Sequence, residues 1–161
     1  MTNNLKNIFP TPKLFYIFQK YDWHILSNSE NYHFNYQGEI ADYYLTVSYN
    51  NKIIKFEYIL DITVPEEKLN DLLILMNFVN QKTSNGFFIY DFEVNKVKFH
   101  IKRDVLVKLK NRVIEDVIEQ NLNITKHLFY NFALATHNLI YAEKIDQNYL
   151  ELMFLKIEGY A

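Results

Sequence analysis

Between Val64 and Asn85 the apolar spacing switches from that of a strand to that of a helix, and afterwards it switches back. Ile40 to Ile62 alternates like a hairpin, and so does Gly86 to Asp104. A helical stripe set between alternating segments buries its faces only in a mixed α+β domain. Pro65 suits a first helical turn, where its missing N–H is not needed. Glu66 and Glu67 follow at the end where negative charge is favourable. Asn85-Gly86 reads as the stop, with glycine in the left-handed conformation that ends helices. Leu69, Leu72, Leu73, Met76 and Val79 share one stripe, expected to face the sheet. Ile74, Leu75 and Phe78 fall on another side and form a candidate interface.

The alternation assigns faces to the strands. Tyr43, Leu45, Val47 and Tyr49 point one way; Tyr44, Thr46 and Ser48 point the other. After a tight turn at Asn50-Asn51-Lys52, Ile54, Phe56, Tyr58, Leu60 and Ile62 continue the buried face. Phe88, Tyr90 and Phe92 oppose Phe87, Ile89 and Asp91. Val97, Phe99 and Ile101 face inward, with Lys98, His100 and Lys102 outward. The polar outer row implies a sheet with helices on one side and water on the other.

Upstream, Leu14, Phe15, Ile17, Phe18 and Tyr21 give a short helix; Trp23 to Leu26 turns extended, and Tyr32 to Tyr36 is a short strand. Downstream, Arg112 to Ala142 has no Pro or Gly and places Val113, Val117, Ile118, Asn121, Leu122, Thr125, Leu128, Phe129, Phe132, Ala135, Thr136, Leu139 and Ile140 in one arc. A straight helix of about 30 residues is ~45 Å long. That exceeds a small domain, so a break is expected near Asn121–Asn123. Asp146 caps an expected final helix, Tyr149 to Lys156. The expected fold is α+β, with an antiparallel sheet of about five strands on helices in the order α-β-β-β-α-β-β-α. Residues 1–161 form a single domain, with about the first eight loose.

Composition narrows the function classes. The 161 residues hold 13 Tyr and 13 Phe but three Gly and three Pro, which suits strands and a stiff aromatic core. No cysteine is present, which excludes disulfides, thiolate metal sites and Cys nucleophiles and suits a reducing, cytoplasmic setting. The net charge of −2 is not that of a typical nucleic-acid binder. No apolar run approaches the roughly 20 residues of a membrane helix.

Chemistry-bearing patterns are sparse. His24, His33, His100, His127 and His137 show no H-x-x-x-H spacing, so neither a metal nor a cofactor is expected. Glu115, Asp116 and Glu119 read as the solvated face of the long helix. No G-x-S-x-G and no glycine-rich phosphate loop occurs. Tyr90, Arg103 and Asp104 are candidate polar groups for a small-molecule groove between sheet and long helix.

The segment Asn85-Gly86-Phe87-Phe88-Ile89-Tyr90-Asp91 through Val97-Lys98-Phe99-His100 resembles the YbjN family of small bacterial sensory transduction regulators. Pro65-Glu66-Glu67 is similar to that family's helix start, and Leu128-Phe129-Tyr130-Asn131-Phe132-Ala133 to its aromatic F-Y-P-A-F-type stretch. The tail Glu158-Gly159-Tyr160-Ala161 is similar to its G-E-A ending. The resemblance implies a fold similar to type III secretion chaperones and brings no catalytic residue. The expected function is a non-enzymatic, protein-binding regulatory or chaperone-like module with a partner protein. A homodimer through Ile74, Leu75 and Phe78 is expected, because two-fold interfaces reuse one patch. The alternative is the small-molecule site.

Overall fold

A computed structural model describes residues 12–28, 31–50, 53–84, 86–104, 111–141, 148 and 151. The elements run α1 (Pro12–Lys20), β1 (His24–Asn28), β2 (Tyr32–Gln37), β3 (Asp42–Asn50), β4 (Ile53–Asp61), one 3₁₀ turn (Glu66–Lys68), α2 (Leu69–Lys82), β5 (Phe87–Asp91), β6 (Lys96–Asp104) and α3 (Asn111–Tyr141). The fold is α+β. All neighbouring strands are antiparallel, in the order β1-β2-β3-β4-β6-β5. The six strands are one more than expected, because His24–Asn28 pairs with β2 as an edge strand. The expected final helix and its Asp146 cap lie outside the described residues.

Strands β2 to β6 bury inward residues, among them Phe34, Tyr43, Leu45, Val47, Phe56, Tyr58, Leu60, Phe88, Val97, Phe99 and Ile101. Their outward neighbours stay at least partly exposed. Helix α3 supplies the other half of the core through Ile118, Leu122, Leu128, Phe129, Phe132 and Leu139. Phe129 sits at the centre. Its ring lies 4.8 Å from that of Tyr58, 5.4 Å from Phe99 and 5.5 Å from Tyr43. Phe132 stacks on Phe88 at 4.1 Å, and Phe18 of α1 stacks on Phe34 at 3.9 Å.

Helix α3 is unbroken over 31 residues, contrary to the expected break. Asn121 and Thr125 are buried on its inward side and Asn123 is exposed, with no break at any of them. The Thr125 hydroxyl lies 2.7 Å from the Asn121 carbonyl, four residues back in the same helix, and 3.5 Å from the Tyr58 hydroxyl. Glu115, expected on the solvated face, is only 7% exposed, whereas Asp116 is exposed. Glu119 is half-buried and binds Lys20 at 2.5 Å, tying α3 to α1.

Two chain reversals depend on left-handed residues. Helix α1 ends with Asp22 at φ 61°. The Trp23 N–H donates to the Phe18 carbonyl and the Asp22 N–H to the Gln19 carbonyl, the paired bonds of a Schellman stop. In the β5–β6 turn Asn95 has φ 54°, and Asp91 Oδ1 accepts the Glu93 N–H. Gly86 has a different role from the expected left-handed stop, since no glycine described has a positive φ. Helix α2 ends on an extended Thr83. Gly86 is needed for close approach: a Cβ there would lie 2.5 Å from the His100 carbonyl oxygen.

Candidate functional site on the open sheet face

Neither candidate site read from sequence is assembled as expected. Leu75 is 1% exposed and belongs to the core with Leu72, Met76 and Val79. Phe78 is half-buried against that core. Only Ile74 of the trio is in water, at 69% exposure, and Leu73, expected in the stripe, is exposed beside it. The buried stripe is rotated by about half a residue step, ~50°, from the expected one. The expected contiguous patch on α2 therefore reduces to Ile74, with Leu73 of the expected stripe exposed beside it.

The candidate groove is dispersed as well. Tyr90 pairs with Val97 at the turn end of β6, whereas Arg103 pairs with Ile54 and Asp104 with Ile53. Six residues of strand separate Val97 from Arg103, roughly 20 Å. Tyr90 packs on Phe92 at 5.0 Å and on the core margin.

What the fold does assemble is the outer face of β3, β4, β6 and β5. Antiparallel register lines up His33, Thr46, Glu57, His100 and Phe87 in one row. The next row is Asn35, Tyr44, Ile59, Lys98 and Ile89. His33 Nδ1 lies 3.1 Å from the Thr46 hydroxyl. Lys98 is the hub of the charges: its ammonium is 2.8 Å from Asp91 and 3.9 Å from Glu57. His100 Nε2 lies 3.6 Å from the same Glu57, and the His100 ring stacks on Phe87 at 5.8 Å. Lys96 pairs with Asp61 further along.

The hydrogen bond from Lys98 holds the Asp91 carboxyl below the usual carboxylate range, helped by the Glu93 N–H. The same bond raises Lys98. Both therefore stay charged across the physiological range.

Set among these charges are large apolar side chains in water. Phe87 is 51% exposed and Phe92 64%, and Val94, Ile89 and Tyr44 are exposed too. Four of the five belong to β5 and its turn. The arrangement suits contact with a surface: apolar anchors beside charged groups that fix orientation. Among the described residues no group of three or more His, Cys, Asp or Glu could hold a metal ion. No described helix is long and apolar enough to cross a membrane. The alternation set Phe87 with Ile89 on one face of β5 and Lys98 with His100 on one face of β6, in a hairpin that pairs them; the placement of β6 beside β4, which brings in Glu57, had no local signal.

No family model and no curated protein sequence matches the chain. Among solved structures the chain is similar to YbjN from E. coli, a proposed transcription regulator. The sequences are 11% identical, the TM-score is 0.46, and the match covers 80% of this chain and 96% of that one. A likeness of this size concerns the arrangement of elements and carries nothing about activity.

Proposed function

We infer that the protein is a non-enzymatic binding module, regulatory or chaperone-like, that holds a partner protein at the β5 end of its open sheet face and on the adjoining turn. The observation that supports this reading is the set of exposed apolar side chains on β5 and its turn, Phe87, Ile89, Phe92 and Val94, beside the Lys98–Asp91–Glu57 charges. Isolated exposed apolar residues are ordinary, but several along one strand and its turn mark a contact surface. Aromatic side chains contribute most to such contacts because they bury large area at little entropy cost.

The test is a pull-down from cells that express the protein naturally, comparing the wild type with Phe87→Asp/Phe92→Asp. Both positions are exposed, so the variant keeps its fold, checked by its circular dichroism and melting temperature. The expected result is a protein partner held by the wild type and lost from the variant. Nothing above background, or partners held equally by both, refutes the reading.

A further inference from the structure

The charges on the open face are not spread evenly. Register and pairing place Asp42, Asp61, Lys96 and Asp91 side by side across β3, β4, β6 and β5, in the row nearest the β5–β6 turn. Asp42 lies directly opposite Asp61, and like charges so placed are destabilising. Lys96 answers Asp61, while Lys98, one row further in, answers Asp91 and Glu57. Among the described residues no ion pair reaches Asp42 or, in the turn, Glu93, and both are exposed. Among the described residues, this end of the face thus sets Asp42, Glu57, Asp61, Asp91 and Glu93 against Lys96 and Lys98. The far end carries Lys55, in register with Lys102, so the negative potential belongs to the turn end. The exposed apolar side chains are interleaved with the same acids: Ile89, Asp91, Phe92, Glu93 and Val94 lie in that order along β5 and its turn.

We propose that the segment held there is basic and amphipathic: a stretch of another protein whose apolar side meets Phe87, Ile89, Phe92 and Val94 and whose Lys or Arg side chains meet Asp42, Asp91 and Glu93. This rests on the partner-binding reading and names the chemistry of the partner. Charge complementarity carries the choice, since opposite potentials across an interface steer encounter and suppress wrong partners. Asp42 and Asp91 stand three strand spacings apart, ~14 Å, so the bases of the partner are spread along it and not gathered at one point. A cation brought over Asp42 also relieves its repulsion from Asp61, a gain made only in the complex. The same field repels nucleic acid and anionic lipid, whose phosphates need cations that Lys96 and Lys98 already spend on carboxylates.

The probes are three synthetic peptides of one length with the same leucine spacing along one side, and with Lys, Gln or Glu at the flanking positions. Binding is followed by fluorescence anisotropy at about 0.15 M salt, where charges act over ~8 Å. The Lys peptide is expected to bind about tenfold tighter than the Gln peptide, and the Glu peptide more weakly than either. Asp42→Asn/Glu93→Gln, two isosteric changes at exposed positions, is expected to weaken the Lys peptide about fivefold and leave the Gln peptide unchanged. Asp71→Asn/Asp116→Asn removes the same charge from exposed positions in the helical layer and is expected to change Lys-peptide affinity by less than about twofold. Equal weakening by the two double variants overturns the proposal, because net charge alone then accounts for binding. Equal binding of all three peptides, lost in Phe87→Asp/Phe92→Asp, overturns it too and leaves the partner-binding reading standing. Binding of none overturns it as well, and the pull-down then decides that reading by itself. Single-stranded DNA or phosphatidylserine vesicles held more tightly than the Lys peptide, or a mass that doubles with concentration through Phe87 and Phe92, gives the face another occupant and overturns the proposal.

Discussion

Replacing Phe129 by alanine tests the packing account most directly. Its ring is buried between sheet and long helix and meets Tyr58, Phe99, Tyr43 and Phe88 with centroids 4.8, 5.4, 5.5 and 6.2 Å away. Truncating a buried phenylalanine costs about 3–5 kcal/mol through lost transfer energy and the cavity left behind. Four aromatic neighbours from four strands leave little room for collapse, which places the cost at the upper end. The backbone is retained, so the Phe129 carbonyl still accepts the Tyr43 hydroxyl, now 3.3 Å away. The loss therefore reports the ring and not that hydrogen bond. Against a typical total of about 5–15 kcal/mol, it is a large fraction. In urea, with a slope of about 2 kcal/mol per molar, the midpoint falls by about 2 M. The melting temperature falls by about 10–20 °C for a chain of this size. Phe92→Ala is the control, because that ring is exposed and touches Tyr90 alone among the described aromatics; its expected effect is below about 1 kcal/mol. Equal losses for the two variants, or a loss below about 1 kcal/mol at Phe129, would show that the aromatic centre is not where the stability lies.

Two further outcomes follow from neighbouring side chains and from pH. Leu75→Ala should cost about 2–5 kcal/mol and Ile74→Ala less than about 0.5, though the residues are adjacent; similar denaturation midpoints would reverse the assignment of the helix face. Burial raises the Tyr58 and Tyr43 hydroxyls above the ordinary 10.0, so the unfolded chain loses these protons first as pH climbs. Their contribution is intact below pH 10 and is lost above it, at up to about 1.4 kcal/mol per pH unit for each. Tyr58→Phe should make that alkaline slope shallower, and an unchanged slope in denaturation at pH 10 to 11.5 would contradict the burial.

The alternation in β3, β4 and β6 was legible because side chains on a strand alternate whatever the strand pairs with. The arc on α3 was legible for the same kind of reason: Ile118, Leu122, Leu128, Phe129, Phe132 and Leu139 lie inward as their spacing requires. The phase of α2 was not. Leu69, Leu72, Leu73, Met76 and Val79 make as good a stripe as Leu72, Leu75, Met76 and Val79. The choice depends on the directions from which β5 and α3 meet the helix, which the spacing within α2 does not encode. Glu115 and the intact α3 were misread because helix length and polar spacing were judged without the partner surface. Burial against the sheet outweighs the weak helix preference of Asn121 and Thr125.

The sequence by itself determined which residues form strands and helices and which strand face is apolar, since periodicity and turn chemistry act over a few neighbouring residues. Tertiary structure alone decided that β6 lies beside β4, which carries Glu57 to His100 and Ile59 to Lys98 and builds the open face. It alone set Asn80 against Phe88, across the end of α2 and the start of β5. The β4–β6 pairing is set by register between segments far apart in the chain, and the Asn80 contact by the angle at which α2 meets β5. An interaction of that kind leaves no periodic trace in either segment.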